Sequence, residues 1–208
     1  NRIDTGRTWT YVGLRDGQQM RKILLNPQDK NIAWVAVIGH LYSPNKERGV
    51  YKTSDGGKTW KQALYVDDNT GAIDMDINPK NTNEIYACMW HRERRAWNFT
   101  ESGNTSAIYK SMDAGDTWKK ITGNNSGFPQ DDGTGRIGIA VYAANPQIVY
   151  ATLDNQNHRP DTAKKKTDST KYLLIDFKNI SKENFLALDS LKLDSFLIRG
   201  RFDRKYND

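Results

Sequence analysis

Thr53-Ser54-Asp55-Gly56-Gly57-Lys58-Thr59-Trp60 decides the fold, because it returns later in the chain as Ser111-Met112-Asp113-Ala114-Gly115-Asp116-Thr117-Trp118. A degenerate copy, Asp4-Thr5-Gly6-Arg7-Thr8-Trp9, opens the chain. The shared pattern is Ser/Thr-x-Asp-x-Gly-x-Thr-Trp. An aspartate between small polar residues accepts hydrogen bonds from backbone N–H groups two or three positions on and so folds a turn, while the glycine takes a backbone geometry closed to other residues. The turn-building residues are Asp4, Gly6, Thr8 and Trp9 in the first copy and Thr53, Asp55, Gly57, Thr59 and Trp60 in the second. In the third they are Ser111, Asp113, Gly115, Thr117 and Trp118. The threonine and tryptophan then start a strand, and the indole is expected to pack between neighbouring sheets.

A second marker lies between the boxes: Asn26-Pro27, Asn78-Pro79 and Asn145-Pro146, each followed by an apolar strand core, Ala33-Trp34-Val35, Ile85-Tyr86-Ala87 and Val149-Tyr150-Ala151. A further strand core precedes each full box, Gly49-Val50-Tyr51-Lys52 and Ala107-Ile108-Tyr109-Lys110, and another follows it at Lys61-Gln62-Ala63-Leu64-Tyr65. Units of about 50 to 58 residues with four strands each, repeated in tandem, predict an all-β chain of β-propeller blades. About three blades fit into residues 1–160. Propellers close with about four to eight, so the expected architecture is an incomplete ring whose partners include the remaining blades of a larger propeller.

After residue 160 the strand pattern stops, and residues 161–208 read as a Lys-rich linker, with Lys164-Lys165-Lys166, followed by a small helical insertion in a blade loop. Ser181 and Asp189 stand as N-caps, and Gly200 ends the second helix. The insertion serves either as a lid or docking element or as an amphipathic cover on the propeller rim.

Of the 208 residues 37% are hydrophobic, and six tryptophans and ten tyrosines must supply much of the buried area. No stretch approaches the roughly 18 apolar residues that span a bilayer. The net charge of +6 comes with interspersed acidic residues rather than a basic stripe alternating with exposed aromatics, which argues against nucleic acid as a partner. The single cysteine, Cys88, sits in an apolar run and reads as a small buried hydrophobe. No nucleotide-binding glycine motif is present, and no cofactor or metal is expected.

Successive turns of a four-strand meander fall at alternate ends of the blade, so the loops joining second to third strands share one face. These are the long loops: residues 39–48, residues 91–106 and the chain from Asp154 onward. All three histidines lie in them, His40, His91 and His158, with Arg48, Arg92, Arg94, Arg95 and the ring of Trp97 alongside. One reading is a cationic rim for an anionic or sugar ligand; the other is a set of solvated loop residues with the arginines paired to Glu93 or Glu101. A glycosidase would instead need two carboxylates about 5–10 Å apart across a cleft. Glu47, Glu93, Glu101, Asp67 and Asp68 lie on or near this face.

At its boxes the chain resembles the BNR/Asp-box repeat proteins, a group with sialidases, xyloglucanase-type glycosidases and sortilin-like (VPS10) propellers. Gly39-His40-Leu41-Tyr42, Arg48-Gly49-Val50-Tyr51-Lys52-Thr53, Asn69-Thr70-Gly71-Ala72-Ile73-Asp74 and Trp90-His91-Arg92-Glu93-Arg94-Arg95-Ala96-Trp97-Asn98-Phe99 are similar to large secreted bacterial sortilin-like or "glycosyl hydrolase" proteins. The resemblance implies a secreted, periplasmic or cell-surface location. It leaves two roles open: a non-catalytic binding or scaffolding propeller for carbohydrate or protein, or part of a glycoside hydrolase whose carboxylates are completed by other blades. The sialidase arginine triad, tyrosine nucleophile and acid have no separable match, so no catalytic residue carries over.

Overall fold

The computed structural model describes residues 7–123, 125–158, 170–178 and 180–202. The chain divides into two compact units, Asn1–His158 and Arg159–Asp208. In the first, β1 (Gln19–Leu25), β2 (Ala33–Gly39), β3 (Gly49–Thr53) and β4 (Lys61–Leu64) form an antiparallel sheet in chain order. The next sheet runs β5 (Thr70–Ile77), β6 (Ile85–His91), β9 (Ala107–Ser111) and β10 (Lys119–Lys120). Between its second and third strands stands a small hairpin, β7 (Glu93–Arg94) with β8 (Phe99–Thr100). β11 (Thr134–Val141) and β12 (Val149–Asn155) begin a third blade. The expected propeller blades are present in an open arc: two complete sheets and, among the described residues, two strands of a third.

The middle sheet is apolar on both faces because it is buried on both. Along β6, Ile85, Ala87 and Met89 join Trp34, Ala36, Val50 and Leu64 of the preceding sheet in one core. The alternate residues Tyr86, Cys88 and Trp90 join Ile137 and Ile139 of the following blade in another. Period-two alternation therefore feeds two cores from one strand. Burial also pushes the Cys88 thiol pKa up, in keeping with a packing role.

The innermost strands are stitched by carboxylates. Asp74 on β5 pairs with Lys22 of β1 at 2.9 Å and accepts from the Ile139 N–H of β11 at 3.1 Å. Asp76, two residues on, accepts from the Val141 N–H at 2.7 Å.

The boxes fold as hydroxyl-carboxylate knots. Asp55 Oδ1 accepts from the N–H groups of Lys58 and Thr59, three and four residues on, both at 2.9 Å, and the buried Thr53 Oγ1 accepts from the Gly57 N–H at 3.0 Å. Asp113 and Ser111 repeat this with Asp116, Thr117 and Gly115. Gly57 and Gly115 have φ of 88° and 84°, the left-handed region that glycine tolerates. The knot docks onto the other turn at the same end of the blade: the Gly56 N–H donates to Asn31 O, and the Ala114 N–H to Asn83 O, both at 2.9 Å.

Three sequence expectations need adjustment. Asp4 and Gly6 lie outside the described residues, and Trp9 is 81% exposed. Of the box indoles, Trp118 packs beside the core between the two sheets, whereas Trp60 is half-buried and bonds the Val12 carbonyl at 2.8 Å. The deeply buried tryptophans are instead Trp34 and Trp90, on the second strands. Asn145-Pro146 also sits at a different point of its turn from the other two pairs. The Ile148 N–H bonds Asn145 O as the Ile32 and Glu84 N–H groups bond Asp29 O and Asn81 O, which places Asn145 three residues later in the hairpin than Asn26 and Asn78.

The second unit contains α1 (Lys182–Leu186) and α2 (Ser190–Arg199), with Ser181 and Asp189 as side-chain caps and Gly200 at the end, around rings including Phe177 and Phe196 at 4.7 Å. The Lys164-Lys165-Lys166 run lies outside the described residues.

Hydrogen bonds from the threonine hydroxyl and backbone hold the carboxyls of Asp55 and Asp113 well below the usual carboxylate range. A depressed folded-state pKa stabilises above the unfolded value, about 3.9, and the contribution is lost as pH falls through the folded value. Asp113→Asn is therefore expected to lower Tm at pH 7, with the gap from the parent closing progressively below about pH 4, as checked by thermal melts across pH 2–8.

Candidate functional site

The long-loop face is organised around one buried cation. Arg48, 1% exposed, ends the loop between β2 and β3, and its five N–H donors are all used. Nε donates to Asn45 Oδ1 at 3.1 Å, Nη1 to Asn69 O at 3.0 Å and Arg92 O at 3.4 Å, and Nη2 to His40 O at 3.1 Å and Ser43 O at 3.2 Å. Burial, and secondarily the charge of Arg92, pulls the Arg48 pKa down. One guanidinium thus ties the 40–48 loop, the link between the sheets at Asn69 and the start of the 92–106 loop.

Beside this clamp an open cleft of about 780 Å³ lies between the 65–69 link, the 91–105 loop and Asp132. Asp67, Asp68 and Asn69, which line it, belong to a turn that occurs twice in the chain. Asp67 accepts from the Asn69 N–H at 2.7 Å through Oδ1 and from Thr70 Oγ1 at 3.0 Å through Oδ2; Asp131 likewise accepts from the Gly133 N–H at 3.0 Å. Thr70 Oγ1 meets Thr105 Oγ1 at 2.6 Å, and Thr105 approaches His91 Nδ1 at 3.3 Å. The other nitrogen, His91 Nε2, stands 3.5 Å from Glu93. The Tyr65 hydroxyl donates to Asp68, which pushes its pKa up to about 12. The wall is therefore made of hydroxyls, amides, carboxylates and one imidazole beside an exposed phenol ring.

A family model described as "Sortilin, neurotensin receptor 3" matches residues 3–202, nearly the whole chain. The chain belongs to the Sortilin-Vps10 family. Solved structures similar to it include an ancestral GH74 enzyme, at 16% identity and a TM-score of 0.47. Another is the GH74 xyloglucanase from Xanthomonas campestris, at 14% identity and a TM-score of 0.43. Each alignment covers 64% of this chain, which spans only 16% and 18% of theirs. None of the curated proteins matches. Among the described residues no helix is long and apolar enough to cross a membrane, and no group of three His, Cys, Asp or Glu side chains is placed to hold a metal ion.

The loop residues of this Sortilin-Vps10 segment separate into two groups. Of the eight candidates named from sequence, His91 alone lines the large cleft. Arg48, Arg92, Arg94 and Arg95 line a tight crevice against Tyr42 and are engaged by the protein itself. Arg92, 8% exposed, bonds Gln19 Oε1 at 2.7 Å and lies 5.5 Å over the Trp90 ring. Arg94 lies 5.1 Å over Phe99, and Arg95 bonds Tyr42 O at 3.0 Å with Glu93 3.8 Å away. Glu101 contributes its backbone carbonyl, to Trp90 Nε1 at 2.6 Å. His40 pairs with Ser43 Oγ at 3.0 Å, while Trp97 is 85% exposed and His158 is exposed at the end of the first unit. The arginines thus build the loops.

Tyr65, Asn104, Thr105 and Asp132 line the cleft without having been singled out from sequence. A signal for Asp132 was present: Asp67-Asp68-Asn69-Thr70-Gly71 recurs as Asp131-Asp132-Gly133-Thr134-Gly135, one blade apart.

Replacing Arg48 by methionine strands the carbonyls it satisfies and is expected to destabilise the fold by about 3–5 kcal/mol. Arg95→Ala, at the exposed edge, is expected to cost less than about 1 kcal/mol. Urea denaturation of the two variants checks the ordering.

Proposed function

We propose that this chain is a non-catalytic binding and scaffolding segment of a secreted or cell-surface propeller, and that the cleft between the 65–69 link and the 91–105 loop takes a carbohydrate. The cleft itself carries the reading. Its size suits a ligand of a few sugar units, and its hydroxyl, amide and carboxylate lining can both donate to and accept from sugar hydroxyls. The exposed Tyr65 ring supplies an apolar surface of the kind that packs against a pyranose.

The hydrogen bonding supports binding over hydrolysis. A retaining or inverting glycosidase needs one carboxyl free to protonate the leaving oxygen and a second free to attack or to activate water. Both oxygens of Asp67 are held by its own turn, and Asp68 accepts from Tyr65. Neither is disposed to shuttle a proton.

Further blades of the same propeller are the natural partners of the first sheet. Ile23 and Leu25, 61% and 67% exposed, occupy the β1 positions that Met75 and Ile77 hold on β5, where those side chains pack against the preceding sheet.

Glycan-array binding by the chain, followed by calorimetry on a positive oligosaccharide, tests the proposal. Saturable binding without hydrolysis is expected, weakened about tenfold by Asp132→Ala or His91→Ala, which corresponds to about 1.4 kcal/mol. Turnover of any glycan would overturn the binding role in favour of a glycosidase, and a partner held equally well by both variants would move the site off this cleft.

A further inference from the structure

A second hollow, of about 270 Å³, lies away from the long-loop cleft, among the first strands of the three blades. Arg21 and Lys22 of β1, Asp74 of β5 and Arg136 and Gly138 of β11 line it. Its shape follows from the repeat. When the hairpins are superposed by their matching turn bonds, Lys22, Asp74 and Gly138 occupy the same position on successive first strands. The two side chains bridge their blades at 2.9 Å. The third blade has a glycine there, where an added Cβ would meet Thr152 Oγ1 at 2.9 Å and lie 3.8 Å from Asp74 Oδ2.

The charges around that space do not balance. Lys22 and Asp74 neutralise each other, and Asp74 is further committed to the Ile139 N–H at 3.1 Å. Arg21 and Arg136 are both exposed, and neither has an ion pair among the described residues. The Arg136 guanidinium carbon lies over the Trp90 ring, 6.0 Å from its centroid, in a cation–π contact. A cation–π contact engages the charge of a guanidinium and leaves N–H groups able to donate. Two planar forks thus border one concavity whose only carboxylate among the described residues is already paired, an arrangement that matches an oxyanion.

We propose that this hollow is an oxyanion-binding site, with Arg21 and Arg136 as the hydrogen-bond donors and Lys22 as a supporting charge. The ligand chemistry is a carboxylate, sulfate or phosphate group, either free or carried on a larger molecule that reaches the inner strands. Asp74 sets the limit on charge by holding Lys22 in place. The site shares no lining residue with the carbohydrate cleft, so the two assignments stand or fall separately.

Titration of the chain with sodium sulfate and with sodium acetate, at ionic strength held constant with sodium chloride, tests this assignment. Arginine Nε–H resonances are the readout, because sulfate stabilises most proteins by exclusion and a melting shift alone would not locate it. Saturable shifts at two arginines are expected, with dissociation constants on the order of millimolar. Arg21→Gln and Arg136→Gln are each expected to weaken binding at least about fivefold, whereas Lys120→Gln, an equal loss of charge on the exposed β10, leaves it unchanged. Arg21→Lys keeps the charge and guards against misfolding, and it retains measurable affinity. Saturation by sulfate alone assigns a tetrahedral oxyanion; saturation by acetate as well assigns a carboxylate-bearing ligand. Linear shifts with both salts, or saturation that survives both glutamine substitutions, would overturn the site.

Discussion

No blade in this chain can bury its own surface. A four-stranded sheet has two faces, and here both are apolar, so each sheet becomes stable only when sandwiched between neighbours. Strand β6 shows the constraint most clearly. Met89 and Ala87 point into the core shared with the first sheet, while Trp90 and Cys88 point into the core shared with the third blade. Everything else follows from keeping three sheets stacked in register. The carboxylates of Asp74 and Asp76 bond backbone N–H groups one blade away and fix the sliding of the inner strands. The aspartate knots hold the hairpins at the opposite end of each blade, and Trp34 reaches from one sheet to the Ala114 carbonyl in the next blade's knot at 2.9 Å.

Stacked sheets leave their long connections together at one end, and connections need a means of order that sheets do not provide. Arg48 supplies it. A guanidinium presents five donors in one plane, which suits it to gather carbonyls from separate loops where an ammonium would satisfy fewer at fixed angles. With His40, Ser43, Asn69 and Arg92 carbonyls and the Asn45 side chain arranged around it, the loops become a wall rather than a fringe. The cleft beside it is bounded by Asn69 and His91, each at or next to a residue whose carbonyl Arg48 holds.

The long-loop face shows why residue type and chain position do not suffice to assign a role. Arginines and histidines crowded into long loops suggest a cationic rim. Once folded, Arg92 lies over Trp90 and bonds Gln19, Arg95 caps Tyr42, and the larger concavity is bordered by Asp68, Asp132, Thr105 and Tyr65. A guanidinium in a loop has as strong an affinity for nearby carbonyls as for a ligand, and only the path of the backbone decides which it meets. Arg21 and Arg136 make the converse case: 115 residues apart in the chain and unremarkable in a strand pattern, they border one hollow because first strands of successive blades lie side by side.

The repeat and all that is local to it can be read from the order of residues alone. Asp55 and Asp113 with their hydroxyl partners, the alternation of the second strands, the four-strand unit and the helix caps Ser181 and Asp189 act over a few residues, and their chemistry can be read without coordinates. Some local signals were present but easily misaligned: Asn145 precedes its strand more closely than Asn26 and Asn78 precede theirs, and the hairpin bonds show it belongs to a later point of the turn. The tertiary structure alone decided which tryptophans are central, which arginines are structural and which acids border a cleft. Those outcomes depend on contacts between blades, where residues more than 50 positions apart, such as Lys22 and Asp74, meet only after the sheets have stacked.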